Sequence, residues 1–177
     1  MIEVESKAKI INPERFRVLA QKIGRYKGKE RKVDDYYSLE SESSYPKKSL
    51  RIRKKSGFYM INFKQRISYK LGVHAKKETE FKVSDVAGFV RLIHDFGFKK
   101  WLTKEKYTEL YEIKRHFNIE LNHVKNLGWF VEVEYLCNGK GTEKARKEVL
   151  DALKKLGLRQ KDIVKEGYTK LLWDKKR

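Results

Sequence analysis

The chain has 177 residues, 43 of them Lys or Arg and 24 Asp or Glu, which gives a formal net charge of +19. Forty per cent hydrophobic and 12% aromatic residues exclude a disordered chain, and the length suits one domain with its own core. A single cysteine, Cys137, excludes an internal disulfide and with it a disulfide-built secreted scaffold, so a reducing cytoplasm is the expected compartment.

Residues 2–10 alternate, with Ile2, Val4 and Ala8 on one side and Glu3, Glu5, Lys7 and Lys9 on the other, which predicts a strand. Asn12-Pro13-Glu14 supplies a cap, a proline in the first turn and an acid for the positive helix end. The helix they open carries Phe16, Leu19, Ala20 and Ile23 on one face and stops at Gly24. The basic run Arg25-Tyr26-Lys27-Gly28-Lys29 reads as solvated surface. Strands are expected near 31–39, 49–54, 58–66 and 76–83, with Ser56-Gly57 turning between the second and third. Ser84 is the expected cap of a second helix carrying Val86, Phe89, Val90 and Ile93 and ending at Gly97. Three more strands follow near 98–112, 115–123 and 129–136, the last two joined around Asn126-Leu127-Gly128. Thr142 opens a third helix with Val149, Leu150, Leu153 and Leu156 along its face and Gly157 at its end. Residues 159–173 leave helix and strand open. About eight strands with short connections imply antiparallel pairing, and their number suggests closure into a barrel. With Pro13 and Pro46 the only prolines and no Gly/Ser-rich linker, residues 1–177 are expected to form a single domain.

What alternates with the apolar residues is charge. Glu3, Glu5 and Lys7 share a strand face, as do Arg51 and Arg53, then Asn62, Lys64 and Arg66, then Glu78, Glu80 and Lys82. Glu120 with Asn122, and Glu132 with Glu134, repeat the pattern. Such faces either look at water over an ordinary core or line the inside of an inverted barrel whose apolar exterior lies under the helices. Paired acids and interleaved bases repel unless counter-ions sit between them, and a metal-bound polyphosphate satisfies both. Mg²⁺ or Mn²⁺ takes carboxylate and phosphate oxygens, while Arg and Lys neutralise the remaining phosphate charge.

Glu3-Val4-Glu5-Ser6-Lys7 is an ExExK pentapeptide that resembles the signature of the CYTH family, the triphosphate tunnel metalloenzymes that include class IV adenylyl cyclases and thiamine triphosphatases. The order of further segments strengthens the likeness. Asp34-Asp35-Tyr36-Tyr37 resembles the DxYY segment, Leu50-Arg51-Ile52-Arg53 the LRIR strand, and Phe63-Lys64 the aromatic-Lys pair. Lys77-Glu78-Thr79-Glu80 is similar to the (R/K)xExE strand, Phe96-Gly97-Phe98 stands for LGF, and 127–134 resembles LGxFxEIE. The resemblance implies an α+β fold: an eight-stranded antiparallel closed β-barrel enclosing a triphosphate tunnel, with flanking helices. It implies that Glu3, Glu5, Glu132 and Glu134 hold one or two Mg²⁺ or Mn²⁺ ions, with Glu78 and Glu80 nearby. Lys7, Arg51, Arg53, Lys64 and Lys106 would hold the triphosphate; Lys64, Tyr36 and Tyr37 are the catalytic candidates, Tyr36 or Tyr37 orienting a lysine or a water. Two positions depart from the family pattern. Thr108 stands where KxRxxY has a phosphate-binding arginine, with Lys104 or Lys114/Arg115 as substitutes, and Asn122 stands where an acid precedes LGxF.

The expected function is therefore a metal-dependent enzyme, class IV adenylyl cyclase-like, converting ATP to cyclic AMP and pyrophosphate. Hydrolysis of tripolyphosphate or thiamine triphosphate in the same site is the rival, and a non-catalytic polyphosphate sensor or a nucleic-acid binding module are readings from other classes. Nucleic acid is the less favoured partner. No apolar run approaches the roughly 18–20 residues of a membrane span, and Glu3 and Glu5 do not suit a signal peptide. The family likeness also implies a homodimer. His74, His94, His116 and His123 show no zinc spacing with Cys137. Trp101, Trp129 and Trp173 read as packing residues.

Overall fold

A computed structural model describes residues 1–40, 43–55 and 57–176. The strands are β1 (Ile2–Lys9), β2 (Arg25–Ser38), β3 (Leu50–Lys55), β4 (Phe58–Lys70), β5 (Val73–Val83), β6 (Lys99–Lys114), β7 (Phe117–Val124) and β8 (Gly128–Cys137). Between and after them lie α1 (Pro13–Ile23), α2 (Val86–Asp95), α3 (Thr142–Lys155) and α4 (Tyr168–Lys175). All strand pairs are antiparallel, and the order β1-β5-β4-β3-β2-β6-β7-β8 closes on itself as β8 returns to β1. The closed eight-stranded antiparallel barrel suggested by the number of strands and implied by the family resemblance is the observed architecture.

Period two decides which side chains go where. Val4, Ala8, Val73, Ala75, Ile119, Leu121, Val131 and Val133 point outward and are buried under Phe16 and Ala20 of α1 and Val149, Leu153 and Leu156 around α3. A second outer cluster places Tyr37, Ile52 and Ile61 beneath Ile93 of α2. The core therefore lies between barrel and helices, and the polar faces are left to the inside. No helix among the described residues is long and apolar enough to cross a membrane.

Local sequence explains most boundaries. The Asn12 side chain accepts from the Arg15 N–H at 3.2 Å to start α1. Asp85, not Ser84, caps α2, its carboxylate accepting from the Gly88 N–H at 2.8 Å. Gly97 (φ +88°) lets α2 end with its own N–H on the His94 carbonyl and that of Phe98 on the Ile93 carbonyl. The side chains of Arg25, Tyr26, Lys27 and Lys29 are exposed, so the basic run 25–29 is solvated surface as expected. It begins β2 and lies opposite acids of β6, with Lys27 3.3 Å from Glu112. β4 and β5 also run further than their alternation suggested and meet in a two-residue turn, Leu71 (φ 53°) and Gly72 (φ 83°). Ser56, half of another expected turn, lies outside the described residues. The open stretch 159–173 is both things in turn: Ile163 bridges Ala8 and Val164 donates to the Lys7 carbonyl before α4 begins.

Arg146 of α3 fastens the 71–72 turn to the helix layer. Its guanidinium donates to the carbonyls of Lys70 (2.9 Å) and Val73 (2.8 Å) and to the Ser68 hydroxyl (3.1 Å). Arg146→Leu removes these charge-assisted bonds and leaves buried carbonyls unpaired, an expected loss of about 2–4 kcal/mol. Urea unfolding measures it, and a loss below about 1 kcal/mol would contradict the clamp.

Candidate active site

The inward faces enclose a cavity of about 610 Å³. Of the residues singled out from sequence, Glu3, Glu5, Lys7, Tyr36, Arg51, Arg53, Lys64, Glu78, Glu80, Lys106, Glu132 and Glu134 all line it. Tyr37 does not. It follows Tyr36 on the strand, so it points outward into the cluster around Ile52 and Ile93, and its candidacy as a tunnel tyrosine is withdrawn.

The carboxylates divide into groups. Glu3, Glu5 and Glu134 bring one oxygen each to within 4.8 Å of one another. Glu5 and Glu134 are direct cross-strand partners, a placement that repels when both are charged. Burial, with Glu120, Glu5 and Glu132 nearby, pushes the Glu134 carboxyl up to about 7. Burial also raises Glu3 well above the usual range, helped by Glu5, Glu134 and Glu78 and opposed by Lys64. Glu5 goes the other way: burial opposes its charge, but Lys76, Lys7 and Lys64 hold it well below the usual range. Glu78 stands beside this corner through Lys64, whose ammonium lies 2.7 Å from both Glu3 oxygens and 2.6 Å from Glu78. Lys76 pairs with Glu5. Glu80 stands apart, accepting from Arg51 at 3.4 Å and from Asn62 at 2.8 Å. Glu132 faces Lys7 (3.8 Å) and Lys106 (3.9 Å).

The opposite wall is basic and held by two buried acids. Asp34 takes Arg53 bidentately at 2.5 and 2.8 Å and Lys104 at 3.0 Å. Glu120 takes Lys32 and Lys106, each at 2.8 Å. Lys104 also donates to the Tyr36 hydroxyl at 2.9 Å. Lys104 is thus the lysine that meets the tunnel tyrosine. Above this wall sits the Tyr168 ring of α4, with the ammonium groups of Lys7, Lys104 and Lys106 at 5.4, 5.7 and 5.7 Å from its centroid.

The two departures from the family pattern face each other. Thr108 and Asn122 are cross-strand partners, and the Thr108 hydroxyl donates to the Asn122 amide oxygen at 2.7 Å. A neutral pair fills the place where the family pattern puts a base and an acid, so the two changes compensate electrically. Lys104 lines the cavity and is the cation available in place of that arginine. Lys114 pairs with Glu148 instead, and Arg115 is exposed.

Lys32 and Lys76 also line the cavity although neither was singled out. Each lies within an expected strand and shares parity with a residue that was, Lys32 with Tyr36 and Lys76 with Glu78, so strand parity alone would have found them. Tyr168 had no such signal, because it reaches the cavity from a helix after an irregular connection. His74, cross-strand from Glu5, donates from Nε2 to the Lys165 carbonyl at 2.7 Å and ties that connection to the barrel.

Three carboxylates converging beside lysines, Glu3 and Glu5 buried and Glu134 half-buried, suit a hard divalent cation: they offer oxygen ligands, and two of them are destabilised as anions until one arrives. The basic wall suits a polyanion. Such an interior binds metal and phosphate together, and among the described residues this acidic trio is the group placed to hold a metal.

Known proteins agree with the fold. No curated protein matches the sequence. A solved protein of Pyrococcus horikoshii is 28% identical, with 96% of this chain and 98% of that one covered and a TM-score of 0.79. A candidate adenylate cyclase of Vibrio parahaemolyticus is 16% identical over 97% and 98% of the two chains (TM-score 0.78). A candidate adenylyl cyclase of Hippeastrum, described as having dominant triphosphatase activity, is 15% identical over 98% and 95% (TM-score 0.65). The last two are likenesses of fold. The sequence pattern of the CYTH domain matches residues 1–168, all eight strands and the first three helices, and the chain belongs to the CYTH family.

Proposed function

We propose that this protein is a divalent-metal-dependent enzyme that acts on a triphosphate inside the barrel, in the manner of a class IV adenylyl cyclase, with ATP giving cyclic AMP and pyrophosphate. The observation that carries the reading is the meeting, in one cavity, of the Glu3/Glu5/Glu134 trio with a wall of buried lysines and arginines.

Glu3, Glu5 and Glu134 would hold Mg²⁺ or Mn²⁺, with Glu132 and Glu78 supporting through Lys7 and Lys64. The metal, when bound, neutralises phosphate charge and polarises the phosphoryl group under attack. Everything else falls to the chain. Lys7, Arg51, Arg53, Lys104 and Lys106 bind the phosphate oxygens. Asp34 occupies two of the five guanidinium N–H groups of Arg53, which fixes its plane and leaves donors for phosphate. Lys104 donates to the Tyr36 oxygen, so the phenol proton is directed elsewhere and is available to a phosphate oxygen. Lys64 carries positive charge, raised well above its usual range by Glu3, Glu5 and Glu78 against the effect of burial, and it offsets charge on the departing group. No side chain need attack. The nucleophile is the ribose 3′-hydroxyl for cyclisation or water for hydrolysis.

Phosphorus NMR of metal-stripped protein tests this with ATP, tripolyphosphate and thiamine triphosphate, each with Mg²⁺ or Mn²⁺ restored. Pyrophosphate and cyclic AMP from ATP are the expected products. Orthophosphate would make the enzyme a triphosphatase instead, and metal-dependent binding without products would make it a sensor, the outcome that the neutral Thr108–Asn122 pair would then explain. No response to any triphosphate would overturn the tunnel reading.

A further inference from the structure

Two carboxylates of the trio are each paired with a lysine, and the two pairings differ. Lys76 reaches a single oxygen of Glu5, the same oxygen that Lys7 approaches at 3.7 Å. Lys64 lies 2.7 Å from both oxygens of Glu3, a position in which one ammonium covers the inner lone pairs of a carboxylate. It also lies 2.6 Å from Glu78, directly across from it on β5. Strand order places Lys64 between two environments. β5 and β1 on one side carry Glu78, Glu3 and Glu5, and β3 on the other carries Arg51 and Arg53. Arg51 lies across from Asn62, which shares the inward face of β4 with Lys64. The ammonium ends a flexible four-carbon stem, so it can serve either side without movement of the strand.

We propose that Lys64 is a tethered counter-ion that competes with the divalent ion for Glu3 and, once displaced, serves the triphosphate. Metal and triphosphate then bind with positive coupling. The inference rests on the tunnel reading above and adds to it an order of events within the site. A dication and an ammonium on the same two oxygens repel, and inside the barrel little water screens them. Glu78 keeps the displaced ammonium within the cavity, and a phosphate oxygen near Arg51 supplies the anion it has lost. Metal alone leaves Lys64 with one carboxylate in place of two. Triphosphate alone meets a Lys64 still committed to Glu3. Each ligand therefore removes a cost that the other meets, and the coupling is reciprocal.

Titration calorimetry of the full chain tests this with Mg²⁺ alone and with tripolyphosphate in EDTA or in Mg²⁺, at pH 8.5, where the proton on Glu134 no longer competes with metal. The parent is compared with Lys64→Met and with Lys64→Met/Glu78→Gln. The double variant keeps the net charge, so it separates the freeing of Glu3 from a general change in field, and it carries the test if the single variant fails to fold. Mg²⁺ affinity in the absence of tripolyphosphate is expected to rise about tenfold in both variants, the usual scale of coupling between two sites. Tripolyphosphate affinity should stay within about threefold of the parent in EDTA and fall about tenfold in Mg²⁺, where Lys64 would have joined the phosphates. Unchanged or weaker Mg²⁺ affinity in the double variant overturns the competition and leaves the tunnel reading standing. An equal loss of tripolyphosphate affinity with and without Mg²⁺ makes Lys64 a permanent phosphate ligand and overturns the transfer. Absence of Mg²⁺ binding and of tripolyphosphate binding in the parent overturns the tunnel reading and this inference with it.

Discussion

Glu134→Gln is expected to abolish metal-dependent turnover while making the metal-free protein more stable at alkaline pH. Glu134 lies directly across from Glu5, and its carboxyl is pushed up to about 7 by burial and by Glu120, Glu5 and Glu132. Because this value stands above that of an ordinary glutamate, the folded state holds the proton more tightly than the unfolded chain. The sign follows: stability falls as pH rises from about 4.5 to 7 and stays lower above that. Glutamine keeps the shape and removes the anion, so the variant should gain about 1–3 kcal/mol at pH 8 and close to nothing at pH 4. The opposite effect is expected on function. Groups that merely support a metal ligand cost about 10–100-fold when removed, and a ligand itself should cost at least as much. In the unmodified protein, Mn²⁺ affinity should rise with pH through about 7 as the proton is displaced. Isothermal titration with Mn²⁺ and thermal melts at the two pH values read both signs. Unchanged Mn²⁺ affinity in Glu134→Gln would remove Glu134 from the metal site.

Asp34→Asn is expected to have the largest effect on stability. Asp34 is wholly buried and is the shared partner of Arg53 and Lys104. Burial disfavours its charge, yet Lys104 and Arg53 together hold its carboxyl well below the usual range. Removing the anion leaves two buried cations facing each other, at an expected cost of about 3–5 kcal/mol. Since the folded value is depressed, the stabilisation is present above about pH 4 and is lost as pH falls below it. Asp34→Asn should therefore flatten the acid limb of the stability curve as well as lower the plateau. Tripolyphosphate should restore part of the loss, because phosphate oxygens then meet the two freed cations. Urea unfolding with and without tripolyphosphate at pH 7 measures both effects, and a plateau within about 1 kcal/mol of the parent would refute the pairing.

Much of the barrel was legible because strand geometry is a local rule. Glu3-Glu5-Lys7, Arg51-Arg53 and Glu132-Glu134 each share a face, which fits either a sheet wetted on one side or a closed barrel under amphipathic helices, and the order of the family-like segments selects the barrel. The same rule, with the order of the family-like segments, singled out the residues that line the cavity. Its failures were also local. Tyr37 was considered beside Tyr36, although adjacent strand residues must point to opposite sides. The run 25–29 is solvated as its composition suggests, but its acidic partners Glu109 and Glu112 lie at least eighty residues away and are invisible to a short window.

The likeness to the CYTH segments chose the inverted barrel; by itself, the sequence determined the strand and helix pattern and the polarity of each strand face. Those properties depend on residue type and on spacings of two and of 3.6. The tertiary structure alone decided which charges meet. Strand register sets Glu134 against Glu5 rather than leaving Glu132 in the trio, the pairing of β6 with β7 turns two unlinked departures into the Thr108–Asn122 hydrogen bond, and the packing of α4 delivers Tyr168 to the cavity. Electrostatic and stacking interactions act over a few ångströms in space, and closure of the barrel brings to that range residues that the chain keeps far apart.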